Sequence, residues 1–239
     1  MPKTLIVIPT YNEKECVTDI VRAVRAAVPE ATIQIVDDAS PDGTGAIADA
    51  LAAADPQVQV LHRQGKAGLG AAYLDAFGRA LAAGWDRIVQ MDADFSHDPK
   101  DVPRLLAALD GGADMAVGSR YVAGGGTVNW GLGRRLISKS GSTYARAVLG
   151  ISIQDLTAGF KAWKAETLRG IDLDAVDARG YGFQIEMTYR TLRKGFRVVE
   201  IPIQFVDRRV GASKMSGTIF MEALTLVWKL RSAVKGRGE

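Results

Sequence analysis

Cysteine and histidine are nearly missing from this 239-residue chain, which holds one Cys and two His. A lone Cys16 excludes a disulfide framework or a thiolate metal site within one chain, and reads as a small packed residue of the first helix. His62 and His97 are assigned to turns or the surface, with no catalytic role. Long apolar runs are missing as well: no stretch reaches the ~18 residues of a membrane span. The start, Met1-Pro2-Lys3-Thr4, lacks the n-region and long h-region of a signal peptide, so a cytoplasmic protein is expected. The net charge of +3 is too mild to argue for nucleic acid. No Gly-x-Gly-x-x-Gly follows the first strand. Gly65-Lys66-Ala67-Gly68-Leu69-Gly70 also lacks the Gly-Lys-Ser/Thr of a phosphate loop, so its glycines read as a tight turn and close helix packing. Acid is the most telling gap. From Met115 to Gln154 there is no Asp or Glu, while Arg120, Arg134, Arg135, Lys139 and Arg146 all fall there. With a later cluster of Arg208, Arg209 and Lys214, this marks two candidate anion sites.

What is present is a regular alternation. Short apolar runs at Leu5–Ile8, Thr32–Val36, Val58–Leu61 and Ile88–Met91 read as strands, separated by segments with helical periodicity. Asn12 is placed to cap the first of those helices. A helix to about Leu109 and a strand Asp114–Gly118 follow. Ser119–Trp130 reads as a loop because it holds Gly124-Gly125-Gly126, which suggest a mobile lid. Beyond it come a basic helix Leu132–Leu149, a strand within Leu156–Trp163, a helix Tyr181–Arg193 and one or two strands over Val198–Val206. Ser216–Ser232 reads as a last amphipathic helix. Strands alternating with helices imply an α/β fold with a mostly parallel sheet flanked by helices. One domain, 1–215, is expected, with the C-terminal amphipathic helix and basic tail as 216–239.

Ligands of such sheets bind at the carboxyl ends of the strands. Polar residues gather there: Tyr11 and Glu13, then Asp37 and Asp38, then Asp92 and Asp94. In extended backbone alternate side chains share a face, so Asp92 and Asp94 are predicted to converge. Left bare they would repel, and a hard cation held with substrate phosphates removes the conflict. A lone Asp-x-Asp is more often a solvated turn. The two neighbouring acidic loops and the acid-free basic stretch favour a phosphate-bearing donor whose departing diphosphate a metal could stabilise.

A resemblance now has its residues. Pro9-Thr10-Tyr11-Asn12-Glu13, Val36-Asp37-Asp38-x-Ser40-x-Asp42-Gly43-Thr44, Gly68-Leu69-Gly70-x-Ala72-Tyr73, Met91-Asp92-Ala93-Asp94-Phe95-Ser96-His97-x-Pro99 and Gly118-Ser119-Arg120-Tyr121 occur in order. So do Asn129-Trp130, Arg134 to Ser138, Thr157-x-Gly159-Phe160-Lys161, Gly182-Phe183-Gln184-x-Glu186 and Arg209-x-Gly211-x-Ser213-Lys214-Met215. Together they resemble family 2 glycosyltransferases of GT-A (Rossmann-like) fold, and among them the polyprenol-phosphate (dolichol-phosphate) mannose synthases. The resemblance covers nearly the whole chain.

That resemblance implies inverting transfer of mannose from GDP-mannose to a polyprenyl phosphate, with Mg²⁺ or Mn²⁺. It gives Pro9, Tyr11 and Glu13 to the guanine nucleotide, and Val36 and Asp38 to base and ribose. Asp92, Ala93 and Asp94 would contact the nucleoside diphosphate. Asp92 and Asp94 would hold the metal, with Ser96 as a less secure third ligand. Arg120, Arg134 and Ser138 would face acceptor phosphate and donor; Arg208 and Lys214 would close over the diphosphate. Asp155 and Glu186 match positions near the sugar, Glu186 mainly in a structural or sugar-hydroxyl role. An acceptor phosphate is already anionic, so positioning rather than a general base is expected, and an Arg-rich loop suits it. A UDP-glucose-using relative, a Mg²⁺-dependent nucleotidyltransferase and a non-catalytic nucleotide-binding module are the competing readings. The last helix, with Trp228 and Lys229, Arg231, Lys235 and Arg237, could lie on the cytoplasmic face of a membrane or pack on the domain. The family also suggests an integral membrane partner resembling an apolipoprotein N-acyltransferase.

Overall fold

The computed structural model describes residues 2–176, 181–207 and 225–232, without the side chains of Arg134 and Tyr181. Seven strands form one sheet in the order β3-β2-β1-β4-β7-β5-β8. They are β1 (Thr4–Thr10), β2 (Thr32–Asp37), β3 (Val58–His62), β4 (Arg87–Gln90), β5 (Met115–Ser119), β7 (Lys161–Lys164) and β8 (Val198–Pro202). All neighbours run parallel except around β7, which is antiparallel to both β4 and β5. The predicted parallel α/β sheet is therefore present, with one reversed strand that the apolar pattern did not announce.

Period-two alternation sends alternate side chains of each central strand to opposite faces. From β1, Ile6 and Ile8 join Ile33 and Ile35 on one face. They meet Ile20, Val21 and Val24 of α1 (Val17–Ala27) and Leu105 of α4 (Val102–Asp110). Leu5 and Val7 go the other way, against Tyr73 and Phe77 of α3 (Leu69–Ala82) and against Trp163, Phe183 and Met187. Each such side chain, fully buried, contributes about 1.5–3 kcal/mol relative to exposure. Central strands covered on both faces explain why they read as continuous apolar runs rather than alternating ones.

A third cluster joins α5 (Leu132–Leu149) and α7 (Tyr181–Arg193) to the helical residues 225–232. Val227 and Leu230 are buried there, Trp228 donates its indole N–H to Tyr144 Oη at 2.9 Å, and Arg231 donates to Val148 O at 2.7 Å. This part of the predicted last helix docks on the domain; 216–224 and 233–239 lie outside the described residues. Two elements between β7 and α7, the helix α6 (Ala165–Gly170) and a 3₁₀ turn at Leu173–Ala175, had not been foreseen.

The Gly-rich segment is not a plain loop. Gly126–Val128 forms β6, parallel to β9 (Gln204–Val206). A Cβ on Gly125 would lie 2.5 Å from Ser119 O. That glycine serves close backbone packing under the stretch leading into Arg120.

Candidate active site

Strand order reverses at β1, whose neighbours are β2 on one side and β4 on the other. A crevice opens at the carboxyl ends of such a pair. Here it is a cavity of about 390 Å³ reached by Tyr11 and Glu13 from β1, Asp38 from β2, and Asp92 and Asp94 from β4. Because β7 runs the opposite way, its leading residues Thr157 to Gly159 arrive at the same edge.

The first two loops brace each other. Asn12 N–H donates to Ser40 Oγ, Glu13 N–H to Thr44 Oγ1 and Lys14 N–H to Asp42 Oδ2, at 3.0, 3.0 and 3.2 Å. Asn12 is thus not the helix cap: α1 starts at Val17, and Asn12 sits in left-handed backbone at φ 60°. Its main chain, tied to Ser40, orients Tyr11 and Glu13 instead. Asp37 is buried and accepts from Thr10 Oγ1 and Ser40 Oγ at 3.1 and 2.6 Å, which makes it a loop brace. Asp38 lines the cavity, held by Arg63 Nη1 at 2.5 Å. Val36 is fully buried among Leu5, Val7 and Ala72 and is not on the cavity wall. A place near base and ribose would fall to its main chain.

The strand β4 ends at Gln90, so Asp92 and Asp94 are not on extended backbone and the alternate-face prediction does not apply. Both reach the cavity from an irregular turn, with Phe95 at φ 61° and Ser96 N–H donating to Asp94 Oδ1 at 3.0 Å. Ser96 is 2% exposed, and its Oγ has no hydrogen-bond partner among the described residues. Among the described residues no three acidic, His or Cys side chains form a metal cluster. Two carboxylates and an unpartnered hydroxyl are still a suitable donor set for a hard cation that completes its shell with phosphate oxygens. His97 belongs to the same turn, as expected, but not to the surface: it is 1% exposed, stacked on Phe160 at 4.9 Å, and forms part of the wall. Its Nδ1 accepts from Asp92 N–H at 3.1 Å, and burial lowers its pKa, partly offset by Asp92 and Asp94. A neutral, buried ring thus holds the main chain of the acidic turn.

Arg120, directly after β5, lines the same cavity. Its Nε donates to Asp155 Oδ2 at 2.7 Å and its Nη2 to Asp155 Oδ1 at 2.6 Å and Thr157 Oγ1 at 2.7 Å. Tyr121, Trp130 and Phe205 place their rings 5.1 to 5.5 Å from the guanidinium. Asp155 is fully buried and is committed to this pair rather than to the cavity. Glu186, 2% exposed, is paired with Arg190 and is likewise off the wall. Ser138 lines the cavity and accepts from Tyr121 Oη at 2.7 Å. The Arg134 side chain, Arg208 and Lys214 lie outside the described residues. Residues that sequence reasoning left aside also reach the wall: Asp207, and Lys66 with its Nζ 4.0 Å from the Tyr11 ring centre. A cation in a Gly-rich loop after β3 was the available signal for Lys66.

The family model for glycosyl transferase family 2 matches residues 5–171. The chain belongs to that family. It is 52% identical over 240 residues to the polyprenol monophosphomannose synthase of Mycolicibacterium smegmatis, covering 99% of this chain and 91% of the relative. It is also 52% identical to the undecaprenyl-phosphate mannosyltransferase of Micrococcus luteus, covering 99% and 97%. A solved mannosyltransferase from Pyrobaculum calidifontis, in complex with GDP-Man and Mn2+, superposes with a TM-score of 0.59 at 16% identity, over 100% of this chain and 76% of that one. That likeness speaks to the GT-A fold, which this glycosyltransferase shares.

Proposed function

We propose that this family 2 glycosyltransferase transfers mannose from GDP-mannose to a polyprenyl phosphate with inversion, giving β-linked mannosyl phosphate and GDP. The observation that carries the reading is one cavity lined by Asp92, Asp94 and Ser96 together with Arg120 and Ser138. It stands in a chain 52% identical, nearly end to end, to two enzymes named for that transfer.

Tyr11, Glu13 and Asp38 would take the nucleoside, with Pro9 and the Val36 main chain beside it. Asp92 and Asp94, with Ser96, would hold Mg²⁺ or Mn²⁺. When bound, the metal offsets the charge of the departing diphosphate. Ala93 lies between the two carboxylates with its side chain buried, so its main chain would lie along the diphosphate. Asp155 is saturated by Arg120, so it is not offered as a general base, and a phosphate nucleophile needs none. Arg120, rigid in its pair, and Ser138 would position that phosphate. Arg134, Arg208 and Lys214 keep their expected anion roles as part of this proposal.

No described helix is long and apolar enough to cross a membrane. Leu132, Leu136 and Ile137 of α5 are 77, 69 and 53% exposed beside exposed Arg135 and Lys139. We assign this stretch to contact with the cytoplasmic face of a membrane carrying the lipid acceptor. An integral membrane partner would be required only if the isolated chain failed to bind acceptor vesicles. The test of function is incubation with Mg²⁺ or Mn²⁺, polyprenyl phosphate and labelled sugar nucleotides. Label from GDP-mannose should enter the lipid phase; entry from UDP-glucose alone would overturn the mannose assignment.

A further inference from the structure

Gln184 carries a polar group that the proposed roles leave unused. It lies in the first turn of α7, is 2% exposed, and forms part of the cavity wall. Its neighbours dictate which way its amide faces. Trp163 Nε1, which can only donate, lies 3.4 Å from Gln90 Oε1. Gln90 Nε2 therefore points the other way, donating to Gly159 O and to Gln184 Oε1, both at 2.9 Å. Lys161 Nζ meets the same Gln184 Oε1 at 2.8 Å and the Gln184 main-chain O at 2.9 Å. With Oε1 accepting twice, the opposite end of the amide is fixed as Nε2, and that atom has no hydrogen-bond partner among the described residues. An unpaired buried donor is costly, and buried polar groups nearly always find a partner.

The space in front of it is specific. A Cβ built on Gly159 would lie 3.8 Å from Gln184 Nε2, 3.7 Å from Asp92 Oδ2 and 3.4 Å from His97 Cε1. Gly159 thus leaves a notch between the unpaired donor and a carboxylate assigned to the nucleoside diphosphate. A group seated there is next to the diphosphate, and a neutral N–H donor suits a hydroxyl. We propose that Gln184 Nε2 donates to a hydroxyl of the transferred hexose, seated in the notch at Gly159, and so helps select the donor sugar. This rests on the reading of the cavity as a sugar-nucleotide site. Gln90, Lys161 and Trp163 fix the orientation of that donor from inside the sheet.

The test uses Gln184→Glu, which keeps an acceptor for Gln90 and Lys161 while deleting the donor. Transfer to a short polyprenyl phosphate is measured from GDP-mannose and from its four singly deoxygenated forms at C2, C3, C4 and C6. Wild type should lose about tenfold in kcat/KM on the deoxy donor that lacks the bound hydroxyl. The variant should lose about tenfold on GDP-mannose and nothing further on that same deoxy donor, with GDP affinity held within about twofold. Deoxy penalties that are unchanged for all four donors, or GDP and GDP-mannose affinities that fall together, would overturn the proposal. A second variant, Gly159→Ala, makes only ordinary van der Waals contacts yet fills the notch. It should raise the KM for GDP-mannose and leave GDP binding intact; an unchanged KM would also overturn the proposal. Transfer by wild type from a UDP-hexose alone would sink the mannose reading only, and that sugar's deoxy forms would then decide Gln184. No transfer from any sugar nucleotide would overturn both.

Discussion

Arg120 and Asp155 form a buried two-pronged ion pair, with the main-chain N–H of Arg120 adding a third bond to Asp155 Oδ2 at 3.0 Å. The side chains are 7 and 0% exposed. A carboxylate that the family resemblance implies near the sugar is here the support of an arginine on the cavity wall. Removing one partner strands a buried charge, which costs about 3–5 kcal/mol. Asp155→Asn should therefore lower unfolding stability by about that amount and cut transfer as Arg120 loses its anchor. Urea titration measures the first effect. Full stability with lost transfer would instead return Asp155 to a direct role in chemistry.

Asp94 tests the metal reading. Asp94→Asn preserves the acceptor for Ser96 N–H, bonded at 3.0 Å, but removes a negative charge from the donor set. Transfer should fall to background at every Mg²⁺ or Mn²⁺ concentration, while unfolding stability stays within about 1 kcal/mol because the turn survives. Metal titration at fixed GDP-mannose is the measurement. Near-wild-type turnover would take Asp94 out of the metal site.

Much of this arrangement could be read from residues alone. The strands β1, β2 and β4 are dense in Ile, Leu and Val, and their acids follow directly, so the position of Glu13, Asp38 and Asp94 on one edge followed from topology rules. What escaped notice depends on contacts between distant segments. His97 looks like any loop histidine until Phe160 is seen stacked on it, 63 residues later in the chain by number. Asp155 reads as a carboxylate near the sugar until Arg120 is seen to hold it. The reversal of β7 has no local signature: Lys161–Lys164 is four residues long and carries a lysine at each end. Yet that reversal brings Gly159 and Lys161 beside Gln90 and builds the wall that carries Gln184.

Lys161 offers a pH test. It is fully buried, and burial lowers its pKa from 10.5 to about 7, with Asp155 pulling it partly back up. Between those values the unfolded chain holds one proton that the folded chain has released. This group therefore makes stability rise with pH, by about 1.4 kcal/mol per unit for one proton. Below the folded pKa both states are protonated and the penalty is constant. In Lys161→Met the slope disappears. The unfolding free energy of wild type minus variant should be flat below pH 7 and climb between pH 7 and 10.5. A flat difference throughout would mean that Lys161 stays protonated in the sheet.

Two neighbouring glycines should behave differently. A Cβ on Gly125 would meet Ser119 O at 2.5 Å and Arg120 C at 3.0 Å, both backbone atoms that cannot swing aside. On Gly126 it would meet Gln204 Oε1 at 2.6 Å, the far end of an exposed side chain. Gly125→Ala should cost about 1–3 kcal/mol and reduce transfer by displacing Arg120, whereas Gly126→Ala should cost well under that. Equal costs would show that the strand β6 shifts freely and does not press on the arginine.

The exposed turn of α5 separates chemistry from location. Leu132 and Leu136 are one helical turn apart, largely exposed, and not part of the cavity wall. Burying each leucine in a lipid interface would contribute about 1.5–3 kcal/mol, so replacing both with Ser should weaken vesicle binding by well over tenfold. The substitutions leave Ser138 and Arg120 in place, so transfer to a short, water-soluble polyprenyl phosphate should persist while transfer to acceptor in vesicles falls. Cosedimentation with acidic vesicles and the two transfer assays give the three readouts. Unchanged cosedimentation would remove α5 from the membrane contact. Equal loss in both transfer assays would assign the two leucines to holding the acceptor side of the site rather than to the lipid surface.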